Sequence, residues 1–365
     1  MGSNMKVAII GAGMSGSLLA NKLNEQGVDV TVIEKSRGRG GRMSTKRLSW
    51  ANCDMGAQYF TFRDCQTKPL LQRWQSEGLI SPWPFEPSRI RGGVLLSSFD
   101  KEERYVSTPD MNSLAKSLLT DVKIKLNCRV NRVTRDDTDE LLPKWFLWDE
   151  QGDLIGVYNW IVSTIPAEQA ADLFETEPEI YQSIPKRVHS PCWAVTIATK
   201  GEVHDDVQGV FGEREVSWLA RQTTRPGREG VSSEDDPHYD DIWNIHFSPE
   251  FTEQHKDKSA AMIETMAFDW LNQLLIDNDK TEGIVAVEGY CHYWRYARLS
   301  LDYEQQVEQQ GCNAIVDSSQ QVAIIGDWTC GGRVEGAMLS ALLCYEKLLP
   351  YITFNKKRIT VGEHA

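Results

Sequence analysis

Three glycines stand at G-x-G-x-x-G spacing in Gly11-Ala12-Gly13-Met14-Ser15-Gly16, and an acid, Glu34, follows eighteen residues after the last of them. This combination suits a dinucleotide. Gly11 allows a tight turn, Gly13 lets backbone amides approach a pyrophosphate, and Gly16 lets a helix pack closely on a sheet. Met14 and Ser15 open that helix, and the Glu34 carboxylate would accept hydrogen bonds from ribose hydroxyls. Lys35-Ser36-Arg37-Gly38-Arg39-Gly40-Gly41-Arg42-Met43 comes next, and its guanidinium and backbone groups can lie along a pyrophosphate from the other side.

A second constellation is Trp243-Asn244-Ile245-His246-Phe247, which alternates like a strand and so puts Asn244 and His246 on one face. That pair is the expected contact to a substrate amide or ribose. Tyr59, Trp193 and Trp294 are expected to wall the reacting ring, and Arg295 or Arg298, with Arg225 and Arg228, to meet a substrate phosphate. Nothing in the chain reads as a Ser-His-Asp or Cys-His nucleophile, and no H-E-x-x-H or C-x-x-C spacing marks a metal. No metal is expected.

The elements that must position these residues follow from periodicity. Lys6–Ile10 reads as a strand, Ser17–Leu23 continues the helix, and Asp29–Ile33 alternates into a second strand, completing a βαβ unit. Further strands are expected at Lys123–Val133, Trp145–Asp149, Tyr158–Ser163, Val195–Thr199 and Ile284–Glu288, with helices at Met111–Thr120 and Ala260–Ile276. A closing strand–loop–helix runs from Gln321–Ile325 through Gly326-Asp327-Trp328 to Gly336, Ala337 and the apolar segment after them. Residues 201–241, rich in Gly, Asp, Glu, Ser and Pro, read as a surface excursion or lid.

The 365 residues carry 39 Lys and Arg against 52 Asp and Glu, a formal net charge of −13. That balance argues against a nucleic-acid or anionic-membrane binder. The first sixty residues run the other way, with eight basic against four acidic side chains, so the local anion belongs there. Eight cysteines without C-x-x-C pairs, no signal peptide and no apolar run of membrane-spanning length lead to the expectation of reduced thiols, a cytoplasmic location and no membrane.

Glu34-x-x-x-x-x-Gly40-Gly41-Arg42 resembles the second motif of flavin-dependent amine oxidases, although those enzymes usually carry Arg where this chain has Gly38. Together with Asp54-Met55-Gly56-Ala57-Gln58-Tyr59-Phe60, His292-Tyr293-Trp294-Arg295-Tyr296-Ala297 and Gly326-Asp327-Trp328-x-x-Gly331-Gly332-Arg333-Val334-Glu335-Gly336-Ala337, it is similar to the renalase family. The resemblance implies an α/β fold. It comprises a Rossmann-like FAD-binding domain of the p-hydroxybenzoate-hydroxylase-like type (residues 5–65, 100–180 and 300–350) and a β-sheet-rich substrate domain (66–99 and 181–299). It implies noncovalent FAD held by Gly11, Gly13, Met14, Ser15, Gly16, Glu34, Lys35, Gly41, Arg42, Met43, Gly56, Ala57, Gln58, Val130, Gly326 and Asp327. Gly336 and Ala337 would aim a helix N-terminus at the flavin pyrimidine ring. The activity it implies is oxidation of isomeric 2- and 6-dihydroNAD(P) to NAD(P)+, with O2 reoxidising the flavin to give H2O2. A flavin-dependent amine oxidase and a non-catalytic flavin-binding redox sensor are the alternatives.

Overall fold

The computed structural model describes residues 5–136, 138, 144–228 and 239–362. Its first layer is a six-stranded sheet with Lys6–Ile10 inside it, flanked by Asp29–Ile33 and Lys123–Lys125 on one side and Trp160–Ser163, Val322–Ile324 and Ile315–Asp317 on the other. All neighbours pair in parallel except the last two. The chain order therefore reverses at Lys6–Ile10, the place where open α/β sheets bind ligands beyond the strands' carboxyl ends. The helix Met14–Glu25 starts there and packs on the last helix, Arg333–Gly362. Four of the five residues of Lys6–Ile10 are buried, as expected for a strand covered on both faces.

The second layer is a seven-stranded sheet ordered Val285–Leu299, His189–Lys200, Asp241–Phe247, Val216–Arg221, Gly209–Phe211, Ser88–Arg91 and Val94–Ser97. One face packs on the helix Ala260–Asp277 through Val195, Ile197, Trp243, Ile245 and Ile263. The other face meets Ala51, Cys53 and Met55 through Ala194, Ala198 and Ile242. Period-two alternation along one strand thus feeds two different cores.

Several expectations change. Lys123–Val133 is not one strand: Lys123–Lys125 ends the six-stranded sheet, and Arg132–Asp136 belongs to a separate three-stranded sheet. Residues 201–241 are no lid along their described length, because Gly209–Phe211 and Val216–Arg221 are inner strands of the large sheet; residues 229–238 lie outside the described residues. Polar composition misled there because tight hairpin turns collect Gly, Asp and Glu as loops do. The 66–99 segment is shared between layers. Leu70, Trp74, Ile80 and Trp83 join the core of the first sheet, whereas Ser88–Arg91 joins the second.

Candidate functional site

Two glycine loops meet at the switch point. A Cβ on Gly16 would stand 2.1 Å from Gly11 O, so only glycine lets the first helix lie this close to the turn. A Cβ on Gly13 would meet nothing within 4 Å, and one on Gly41 would stand 3.2 Å from Gly13 Cα. The open space thus lies beside Gly13, where the second loop comes close. The helix opening at Met14 has no capping side chain and no acid in its first turn, so its N–H groups and positive dipole end suit an anion. Glu34 is buried; its Oε2 accepts from Ala12 N and its Oε1 from Ser36 N, both at 2.8 Å. Each oxygen keeps a lone pair for a ribose hydroxyl.

The remaining expected contacts are positioned more indirectly. Ser15 Oγ donates to Ala337 O at 3.0 Å, which clamps the first helix to the start of the last. Met14, Met43 and Ala337 are buried, and Val130 is half-buried near the Cys128–Glu34 backbone bond. Burial and the charge of Arg129 lower the pKa of Lys35, whose Nζ reaches Gln169 at 3.5 Å. Arg42 does not stand free. It forks onto Asp327, with Nη1–Oδ2 at 3.0 Å, and so joins the second loop to the Gly326 turn. A Cβ on Gly56 would stand 1.9 Å from Arg42 O, and Ala57 N donates to the same oxygen at 2.9 Å. A Cβ on Gly336 would meet Cys330 O at 2.5 Å.

Asp54 is the buried centre that sequence reading missed. Its Oδ1 accepts from Thr45 Oγ1 at 2.6 Å, and its Oδ2 accepts from Arg225 Nη1 at 3.0 Å and Arg228 Nη2 at 2.5 Å. Arg225 is 1% exposed, lies over the Trp83 ring at 5.0 Å, and bonds Gln58 Oε1. Arg225 and Arg228 therefore hold the loop before Gly56 and are not available to a substrate phosphate. The Gln58 amide is likewise used internally, donating to Gly56 O at 2.9 Å. The signal available in the sequence was the Arg225-Pro226-Gly227-Arg228 turn, whose two cations need a buried acid as partner.

The large sheet turns one face to this loop. His246 Nε2 and Trp294 Nε1 both donate to Met55 O, at 3.1 and 3.0 Å, and Asn244 Nδ2 donates to Asp54 O at 3.1 Å. Because the carbonyl can only accept, the proton of the neutral imidazole sits on Nε2. Burial, and then the charges of Arg225 and Arg298 against the opposing Met55 bond, bring the His246 pKa down to about 4. Asn244 is fully buried and its Oδ1 has no partner. His292 stands edge-to-face on Trp294 at 4.5 Å.

Trp193 and Arg295 fall away from this group, and the reason is alternation. Trp193 lies on the helix-bearing face, packed on Tyr293 at 4.7 Å, with Nε1 donating to His255 O. Arg295 follows Trp294 and so points oppositely; it is exposed, with its guanidinium 5.8 Å from the Tyr296 ring. Arg298 is exposed too, but it lines a cleft of about 400 Å³ with Arg214, Ser248 and Glu250. Tyr59 packs edge-on to Trp218 at 5.3 Å beneath Arg104. Among the described residues no group of His, Cys, Asp and Glu is arranged to hold a metal, and no helix is long and apolar enough to cross a membrane.

Residues 91–344, well over half of the chain, match flavin containing amine oxidoreductase, and residues 9–74 match the NAD(P)-binding Rossmann-like domain. The chain belongs to the flavin containing amine oxidoreductase family. Among solved structures, this flavin amine oxidoreductase resembles a putative protoporphyrinogen oxidase from Exiguobacterium sp. 255-15 (TM-score 0.68, 11% identity, 95% of this chain and 99% of that one). It also resembles an oxidoreductase from Methanosarcina mazei (TM-score 0.67, 12% identity, 94% and 100%) and a redesigned putrescine oxidase (TM-score 0.64, 13% identity, 95% and 100%). These identities show the fold alone. A 52-residue stretch is 42% identical to the 4,4'-diapophytoene desaturase of Staphylococcus aureus (strain Newman), covering 14% of this chain and 10% of that protein. The chain thus aligns with about a tenth of the length of the curated relatives it matches. The site fits the family's flavin: open space at Gly13, an uncapped helix start and a doubly anchored Glu34 form one continuous cradle with the Arg42–Asp327 pair.

Proposed function

We propose that this flavin oxidoreductase is an oxidase of isomeric 2- and 6-dihydroNAD(P), holding FAD noncovalently, with NAD(P)+ and H2O2 as products. FAD would supply the redox chemistry, taking a hydride from the substrate and returning the electrons to O2. Loss of hydride turns a dihydropyridine into an aromatic pyridinium, so the protein must orient the ring and need not supply a strong base. The observation that carries this reading is the face made by Asn244, His246 and Trp294. It is uncharged, with Asn244 buried and His246 and Trp294 half-buried, its donors are spent on fixing Asp54 and Met55, and the imidazole is held neutral down to about pH 4.

In this reading the chain's residues divide the work. Gly11–Gly16 and Glu34 bind the adenosine diphosphate, the Arg42–Asp327 and Asp54–Arg225 pairs set the loop at Gly56-Ala57-Gln58, and the sheet face excludes water. The unpartnered Asn244 Oδ1 is the group suited to a carboxamide N–H, and Arg298 is the cation of this side for a substrate phosphate. An amine-selecting cage would want two rings facing each other across a slot, whereas His292 and Trp294 meet edge to face at 78°.

The test is anaerobic titration of the yellow protein. Bleaching by 2- or 6-dihydroNAD(P) should outpace bleaching by the ordinary 4-dihydro form, with peroxide appearing on admission of air. Flavin reduction by a monoamine or polyamine and by neither isomer would establish the amine oxidase instead, and reduction by none of them would leave a flavin-binding sensor.

A further inference from the structure

Outside the flavin cradle the cysteines fall into two classes. Cys53, Cys192, Cys291 and Cys344 are buried, and burial pushes each thiol up to about 12. Cys312 is exposed, and its sulfur shares a hydrogen bond with that of Cys330. Beyond the paired strands Ile315–Asp317 and Val322–Ile324 the two segments stay in contact: Asn313 N donates to Thr329 O at 3.0 Å, and Cys330 Sγ donates to Asn313 O at 3.7 Å. These two bonds set Cys312 beside Cys330. The Cys330 side chain is thereby turned onto the segment that carries Cys312, as a disulfide requires.

The surroundings make the two thiols unequal. The side-chain contact with Cys330 lowers the Cys312 pKa, against burial and the charges of Asp64 and Glu335. Cys330, 6% exposed, is shifted the other way by that same contact and by burial. One sulfur is thus solvent-facing and more readily a thiolate, and the other is sheltered next to it, as an attacking and a resolving cysteine require. Cys330 also belongs to the turn of the flavin cradle: its N–H bonds Asp327 O at 2.9 Å, and Asp327 holds Arg42.

We propose that Cys312 and Cys330 form a peroxide-sensitive dithiol that closes into a disulfide. The Cys312 thiolate attacks one peroxide oxygen, the O–O bond breaks, and hydroxide leaves and is protonated to water. The Cys330 sulfur then displaces the hydroxyl from the oxidised Cys312 sulfur, the S–S bond forms, and a second water leaves with the Cys330 proton. Two thiols lose two electrons and two protons, and one H2O2 becomes two waters. An oxidase that makes H2O2 at the adjoining flavin would supply the oxidant locally. The dithiol itself does not depend on the substrate reading, because added peroxide serves as well.

The experiment treats flavin-loaded, substrate-free protein with H2O2, blocks remaining thiols by alkylation and maps the non-reduced peptides by mass spectrometry. The expected product is a peptide pair joined through Cys312 and Cys330, lighter than its two parts by two hydrogens, reversed by dithiothreitol and formed equally in Cys65→Ser. It should be lost in Cys312→Ser and in Cys330→Ser, the first of which alters only an exposed side chain. A bridge from Cys312 to the exposed Cys65, or Cys312 carried to sulfinic acid with Cys330 still alkylatable, would overturn the proposal. So would failure of any link to form.

Discussion

Single atoms decide much of the cradle. The Cβ of Gly56→Ala would have to displace the Arg42 carbonyl, and such overpacking costs about 1–3 kcal/mol. At about 1.4 kcal/mol per tenfold, flavin affinity should fall roughly ten- to hundredfold, read by equilibrium dialysis, together with a lower thermal midpoint. Gly13→Ala makes the contrasting case. Its methyl enters open space, so the flavin-free protein should melt as wild type does while flavin content drops sharply. His246 gives a pH signature. Its folded pKa of about 4 lies below the ordinary 6.5, so the unfolded chain binds a proton that the folded chain refuses. The contribution of the neutral imidazole is therefore full above pH 6.5 and is lost as the pH falls from 6.5 toward 4. His246→Gln should flatten that part of the curve of thermal midpoint against pH.

Elements are joined by buried charge. The turn after Val216–Arg221 delivers Arg225 to Asp54, so the second sheet and the loop before Gly56 hold each other. Removing one partner of a buried pair costs about 3–5 kcal/mol, because it strands the other charge. Asp54→Asn strands the buried Arg225 and should therefore lower unfolding free energy by about that amount in denaturant titrations, whereas Arg225→Met leaves Asp54 its Arg228 partner and should cost less. A second joint sits where the chain passes from one layer to the other. Glu168, in the helix Ala167–Leu173, accepts from Val188 N and His189 N at 2.8 Å and meets His189 Nδ1 at 2.7 Å. Burial opposes ionisation of Glu168, yet the His189 bonds and charge bring its pKa down to about 2.

For the whole molecule, charge is the governing quantity. The net −13 opposes any anionic substrate at long range, while Lys35, Arg37, Arg39 and Arg42 sit in the second loop, which meets the cradle at Gly41. A dinucleotide must find its cations at contact distance, where salt screens weakly. The KM for a dihydronicotinamide substrate should accordingly rise by less than about threefold between roughly 0.05 and 0.3 M salt, as steady-state kinetics would measure. A steep rise would mean that long-range attraction assembles the complex.

The sequence by itself determined the βαβ unit, the glycine cradle, Glu34 and the family resemblance, because each rests on local rules: turn geometry, period and the reach of a helix N-terminus. It also placed Asn244 and His246 on one strand face, since alternation needs no partner. Only the tertiary structure decided that Trp193 and Arg295 turn away from that face, that residues 209–221 are sheet and not lid, and that Arg225 and Arg228 close on Asp54 instead of a substrate. Those outcomes depend on which core each face of a strand meets, and on pairing between residues some 170 positions apart. Periodicity and charge counts carry no information about contacts at that separation.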